Sequence, residues 1–362
     1  MQTTKPLKIA IFTLPLHNNY GGNLQAYALM QILKNLGHSP ELLFIRAEAD
    51  TFKGLLKCLI KRYLLGFLSK YKGFTFRRTS AKSLSFINEF ISPKSPALTS
   101  PAALKSYFTK GGFDACILGG DQVFRPAFFS IFKDYFSLSF VSDDCLKIAY
   151  AASFGGDKFQ SLGDDERHRA NLAKFKAIFV RESLGVDICK SAFNLEATQV
   201  LDPVLMLEKC HYESLCANVA KSHKNTLFAY FLNPDESKIK KAKNLAKEHN
   251  LALKIISPSD DAPSTQEFLS YFRDADMVIT DSFHGCVFAI IFELRFFPLA
   301  NEFRGNERFS SLFALFNLNN DGELICPDYA KLNASLNELR ARSLGLLSDA
   351  LRKESYGNLT SS

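Results

Sequence analysis

One short run gathers more chemistry than any other: Thr280-Asp281-Ser282-Phe283-His284-Gly285. An apolar strand pattern, Asp276 to Thr280, ends there, and an apolar helix pattern, His284 to Glu293, begins. The Ser282 hydroxyl and the imidazole, at a helix start, can converge with unpaired backbone N–H groups on one phosphate, with Asp281 beside them. Asp281, Ser282, His284 and Gly285 are therefore candidate site residues. Ser, Asp and His together also suggest hydrolysis. Neighbours this close cannot readily align as a triad, however, and no GxSxG elbow is present. The plainer alternative for His284 is packing.

Other segments add polar groups where strands end. His17 to Asn23 contains Gly21, Gly22 and Asn23 and reads as a glycine-ended loop that touches substrate, or as a turn alone. The third glycine of a dinucleotide fingerprint is missing, and no acid closes the next strand, so a nicotinamide or flavin site is not expected. Asp121 and Gln122 follow Gly119-Gly120; Asp121 suits a general acid or hydroxyl binder, or a turn cap. Arg181 precedes Glu182 and offers a planar fork to phosphate or carboxylate, or a salt bridge to a neighbouring acid. Arg304 and Arg308 lie in a charged run and either add positive charge or face solvent. His38, His168, His211, His223 and His249 have no metal-ligand spacing, so no metal is expected.

These residues need a frame that repeats strand, polar loop, helix. Lys8 to Thr13 reads as a strand, and Asn23 to Leu36 as a helix with apolar positions near a 3.6 period. Gly37 stops it, and Glu41 to Ile45 follows as a strand. Phe113 to Leu118, Lys147 to Ala151 and Ala177 to Val180 are further strands, and Asp164 to Phe175 is a polar helix. Ser92 to Pro101 is a loop. A second unit runs from the strand Thr226 to Leu232 through a lysine-rich helix, Asp235 to His249, to the strand Leu251 to Ser257. Ser264 with Glu267 makes a capping box. Arg295 to Leu299 is a strand, Glu307 to Phe316 a helix, and Asn333 to Arg342 opens a C-terminal helix. The fold class expected is α/β, with two Rossmann-like domains facing across a cleft. The divisions are 1–205, 206–330, and a C-terminal helix and tail, 331–362, that packs on the first domain.

Composition agrees with a globular chain: 362 residues, 47% hydrophobic and 22% charged. The 34 Phe read as core filling, and the 8 Cys, without a CxxC pair, as mostly buried thiols. The net charge of +7 belongs to one basic segment, 51–88, which contains a basic amphipathic stretch, Phe52 to Lys72. That stretch is either a helix pair with Lys and Arg outward or a contact for an anionic lipid, polymer or partner. No apolar run reaches about 18 residues, the least that suggests a membrane span. The N-terminus does not read as a signal peptide, so the cytoplasm is expected, with peripheral contact at the inner membrane face through 52–78. No nucleic-acid motif is present.

Four blocks carry a family resemblance: Asn19-Tyr20-Gly21-Gly22-Asn23-Leu24-Gln25-Ala26; Leu118-Gly119-Gly120-Asp121-Gln122-Val123-Phe124; Val180-Arg181-Glu182 with Leu201-Asp202-Pro203-Val204; and Ala275-Asp276 through Asp281 to Gly285. In this order they resemble the polysaccharide pyruvyl transferase family. The resemblance implies a GT-B-like domain pair. It implies transfer of pyruvate from phosphoenolpyruvate to a sugar or lipid-linked glycan acceptor, as a ketal, with phosphate released and no cofactor beyond the donor. His284 and Arg181 would then hold the donor's anionic groups, and Asp121 would protonate its vinyl carbon. Ser282 and Asp281 would shape the pocket, and Arg304 and Arg308 would add charge. Phe283 stands where some relatives carry Arg. The alternatives are a GT-B-like glycosyltransferase using a nucleotide sugar and a non-catalytic glycan-binding or assembly protein.

Overall fold

The computed structural model describes residues 5–46, 79–161, 163–222, 225–258, 261–299, 307–319 and 322–352. The amphipathic stretch at 52–72 and the candidate Arg304 lie outside them.

Two sheets form, and every strand pair in both is parallel. The first has six strands: β1 (Lys8–Phe12), β2 (Ser39–Leu42), β3 (Ala115–Gly119), β4 (Leu146–Ala152), β5 (Ala177–Val180) and β6 (Thr198–Gln199), in the order β2-β1-β3-β4-β5-β6. The second has four: β7 (Thr226–Tyr230), β8 (Ala252–Ile256), β9 (Met277–Thr280) and β10 (Arg295–Pro298), in the order β10-β9-β7-β8. Strands buried on both faces read as continuous apolar runs because helices cover each side. Each sheet is wound in two directions from a central strand. The reversal falls between β1 and β3 in one and between β7 and β9 in the other, and ligands bind outside such switch points in open α/β sheets.

The helix after β1, α1 (Tyr20–Asn35), starts three residues earlier than its periodicity suggests. Gly21 and Gly22 therefore lie in its first turn and not in a loop. The first turn asks for no intrahelical partner at its N–H groups, which lowers the cost of glycine there. Gly37, at φ +83°, ends the helix as expected. Two helices not foreseen, α2 (Ala81–Phe90) and α3 (Pro101–Gly111), open with Ser80 and Ser100 accepting from the N–H groups of Ser83 and Ala103. Along the chain follow α4 (Asp165–Leu172), α5 (Ser183–Ile188), α6 (Pro203–Met206), α7 (Lys209–Leu215), α8 (Glu236–Glu248), α9 (Thr265–Asp274), α10 (Phe283–Ile291), α11 (Glu307–Leu315) and α12 (Tyr329–Leu351). The Ser264–Glu267 capping box opens α9.

The halves meet through packed aromatics and a few hydrogen bonds. Tyr20 of α1 stacks on Phe268 of α9 with centroids 4.1 Å apart, and its hydroxyl donates to the Pro263 carbonyl. Ser311 of α11 accepts from the Ser183 amide at 2.9 Å and from Gln199 Nε2 at 3.1 Å. Helix α12 touches both halves: Ser343 Oγ accepts from the Leu201 amide, Arg340 donates to the Leu205 and Leu207 carbonyls, and Tyr329 donates to the Leu294 carbonyl. Phenylalanine does fill the cores: Phe12, Phe124, Phe129, Phe132 and Phe136 in the first half, and Phe228, Phe268, Phe272 and Phe288 around the second. Cys116, Cys145, Cys189, Cys216 and Cys286 are buried thiols, not joined in disulfides. Among the described residues no helix is long and apolar enough to cross a membrane.

Candidate active site

The switch points of the two sheets face each other. From the first come the start of α1 and the turn after β3. From the second comes the start of α10, whose first turn carries His284.

The closest approach is between Gly21 and His284. A Cβ on Gly21 would fall 2.1 Å from His284 Nδ1 and 2.5 Å from its Cγ. The imidazole thus lies flat on α1 where a side chain would otherwise be. A Cβ on Gly22 would be 3.6 Å from an Asp121 carboxylate oxygen, an ordinary contact. The glycine pair is therefore flanked by an imidazole on one side and a carboxylate on the other. Asn19 makes no side-chain cap at this helix start.

Asp121 is held there by unusual backbone. Gly120 and Asp121 sit at φ +57° and +54° in succession, a region costly for a residue with a Cβ. The turn is tied to β4: the Gly120 amide donates to the Tyr150 carbonyl, and the Ser153 amide to the Asp121 carbonyl. A Cβ on Gly120 would fall 1.7 Å from Gln25 Oε1, so the Gln25 side chain would have to shift.

Behind the imidazole lies a buried charge cluster. Arg181, 3% exposed, donates from Nε to Glu182 and from one terminal nitrogen to Asp202, at 2.9 and 2.8 Å. Its other terminal nitrogen has no hydrogen-bond partner among the described residues. Its guanidinium lies 4.3 Å over the Phe283 ring, and that of Arg308 lies 5.7 Å from the same ring. Asp202 Oδ2 is also 3.6 Å from His284 Nε2. Burial opposes ionisation of Asp202, but His284 and Arg181 outweigh it, and its carboxyl stays well below the usual range. Burial likewise opposes the charge on Arg181, and Glu182, Asp202 and Asp121 hold it on regardless. Arg181, Glu182, Asp202, Phe283 and Arg308 line a cavity of about 10 Å³.

The remaining candidates divide. Ser282 caps α10 by accepting from the Gly285 amide. A Cβ on Gly285 would fall 2.2 Å from Thr280 Oγ1, so that glycine lets α10 sit close to β9. Asp281 accepts from the Leu232 and Asn233 amides and from Lys238 at 2.6, 3.1 and 2.8 Å, bracing the end of β7. Asn23 donates to the His17 carbonyl, and Gln122 accepts from Arg125. Asp202 was not among the candidates. It stood in the sequence only as part of a family block, and nothing local shows that its partner is 82 positions away. Among the described residues no cluster of His, Cys, Asp and Glu could hold a metal ion.

Two doubly wound parallel sheets meeting at their switch points, with an imidazole, a carboxylate and an uncapped helix start at the seam, are the build of a GT-B-like two-domain enzyme. The chain belongs to the polysaccharide pyruvyl transferase family, whose model matches residues 19–302. This makes it an enzyme of the pyruvyltransferase class. A search of curated proteins finds no match. Among solved structures, the chain is similar to S. aureus MnaA bound to UDP, with 11% identity, TM-score 0.47, and 96% of this chain and 92% of that one covered. It is similar to a glycosyltransferase from Rickettsia africae, with 11% identity, TM-score 0.46, and 96% and 100% covered. It is also similar to UDP-GlcNAc 2-epimerase from Neisseria meningitidis, with 10% identity, TM-score 0.46, and 95% and 99% covered.

Proposed function

We propose that this protein transfers the pyruvyl group of phosphoenolpyruvate to two hydroxyls of a sugar in a cell-envelope polysaccharide or its lipid-linked precursor. The observation that carries the reading is the glycine pair of α1 flanked by His284 and Asp121. An uncapped helix start attracts a phosphate, and an acid and a base on either side can serve proton transfer.

In this reaction Asp121 gives a proton to the vinyl carbon, making a methyl group and an electron-poor centre at the neighbouring carbon. One sugar hydroxyl bonds to that centre, the bond to the phosphate oxygen breaks, and the second hydroxyl takes its place. Of the two hydroxyl protons, one replaces that given up by Asp121, and the other is taken by His284 and passed to the departing phosphate. Backbone N–H groups, His284 and the unpartnered nitrogen of Arg181 stabilise the departing charge.

One observation favours a second reading, a nucleotide-sugar enzyme. Glu182 and Asp202 neutralise Arg181, and position 283 is Phe, which leaves little net positive charge for a donor as highly charged as phosphoenolpyruvate. Calorimetric titration with phosphoenolpyruvate and, separately, with UDP-N-acetylglucosamine decides between them. The first reading expects phosphoenolpyruvate to bind to wild type, alone or with acceptor glycan present, and not to His284→Ala. Binding of the nucleotide sugar alone would replace that reading with the second.

A further inference from the structure

We propose that Asp202 is the positioning residue for His284, holding the imidazole with Nε2–H toward its carboxylate so that Nδ1 is the nitrogen presented to substrate. The orientation of the carboxylate is set before the imidazole is considered. Its Oδ1 accepts from the Val204 amide at 2.9 Å, and its Oδ2 accepts from Arg181 at 2.8 Å. An ionised carboxylate only accepts, so a ring nitrogen facing it is favourable with a proton and repelled with a lone pair. Nε2 is buried, lies 3.6 Å from Oδ2, and has no other partner among the described residues.

Nδ1 is on the opposite side of the ring, which lies flat over the Gly21 backbone at the seam. A neutral imidazole carries one proton. With that proton on Nε2, Nδ1 keeps a lone pair and can take the proton of a sugar hydroxyl as its oxygen bonds to the electron-poor carbon. A carboxylate behind an imidazole commonly fixes tautomer and ring orientation in this way. Here Arg181 in turn fixes the carboxylate, with Glu182 behind it, so the chain of orientation runs from β5 to the seam.

The catalytic use of Nδ1 rests on the function proposed above; the tautomer does not. The test is the ¹⁵N spectrum of histidine-labelled protein, with the His284 signals assigned by their loss in His284→Gln. Neutral His284 is expected as the Nε2–H form in wild type and as a mixture of forms in Asp202→Asn. Turnover of phosphoenolpyruvate in Asp202→Asn should show kcat down about 10- to 100-fold with KM little changed. Wild-type His284 carrying its proton on Nδ1 would overturn the proposal, as would a folded Asp202→Asn with unaltered tautomer. If that variant does not fold, the wild-type spectrum alone decides. A wild type that shows the Nε2–H form but never turns over phosphoenolpyruvate would sink the proposed reaction and leave the role of Asp202 standing.

Discussion

Replacing Gly21 by alanine tests whether the seam is built around the imidazole. Gly21 is helical with no positive φ, so backbone strain does not enter. By helix propensity alone, glycine to alanine stabilises by up to about 1 kcal/mol. The structure predicts the opposite sign. The new Cβ would meet His284 Nδ1, Cγ and Cε1 at 2.1, 2.5 and 2.8 Å. Ordinary contacts begin at about 3.5 Å, so the ring or the helix must move by more than an ångström. Overpacking of this kind costs about 1–3 kcal/mol. A displacement of about 1 Å in a reacting group costs on the order of 100-fold in rate. Gly22 is the internal control, because its Cβ would meet Asn19 and Asp121 at 3.4–3.6 Å. Thermal unfolding and phosphate release should separate the two: Gly21→Ala destabilised and nearly inactive, Gly22→Ala as stable as wild type or more so. A Gly21→Ala protein with raised melting temperature and full turnover would refute the geometry.

Two further outcomes follow from the buried polar groups. The carboxyl of Asp202 is depressed in the folded protein, so its stabilisation is complete above the unfolded value, about 4, and is lost as pH falls through the folded one. Urea unfolding should show Asp202→Asn less stable by about 3–5 kcal/mol at neutral pH, with the gap to wild type narrowing below about pH 4; a gap that widens in acid contradicts the assignment. Ser311→Ala leaves the Ser183 amide and Gln199 Nε2 without their shared acceptor, a loss of about 1–3 kcal/mol in the same assay; no change would mean water replaces the hydroxyl at no cost.

Strand periodicity and the loops at strand ends revealed the two parallel sheets. They also placed Asp121 and His284 where polypeptide leaves a sheet, because a buried parallel strand must end in a polar or glycine turn. Two kinds of information were not legible. The first is contact across distance: Asp202 and His284 touch only because two sheets are brought face to face. The second is direction. Asp281 and His284 are three residues apart, yet one faces the end of β7 and the other faces α1, because the turn from β9 into α10 sends their side chains apart. The start of α1 was misplaced for a local reason. Glycine weakens a helix pattern, and here it is kept where the imidazole needs the space.

That close packing has a consequence for substrate entry. Small-ligand pockets are usually about 300 Å³ or larger, whereas the cavity beside Arg181 is about 10 Å³, room for roughly one water. The lining comes from both halves, so the proposed donor is expected to reach Arg181 by a parting of the halves at the seam. Parting must break the Tyr20–Phe268 stack and the Ser311 bridge. Helix α12, bonded to both halves, would help to keep them joined. The Ser183 amide, which donates across the seam, should therefore exchange its hydrogen faster than those of β3 in the sheet interior, and ligand should slow it. Equal, ligand-independent protection of the Ser183 amide and the β3 amides would show that the seam does not open, and Arg181 would then be a structural ion pair alone.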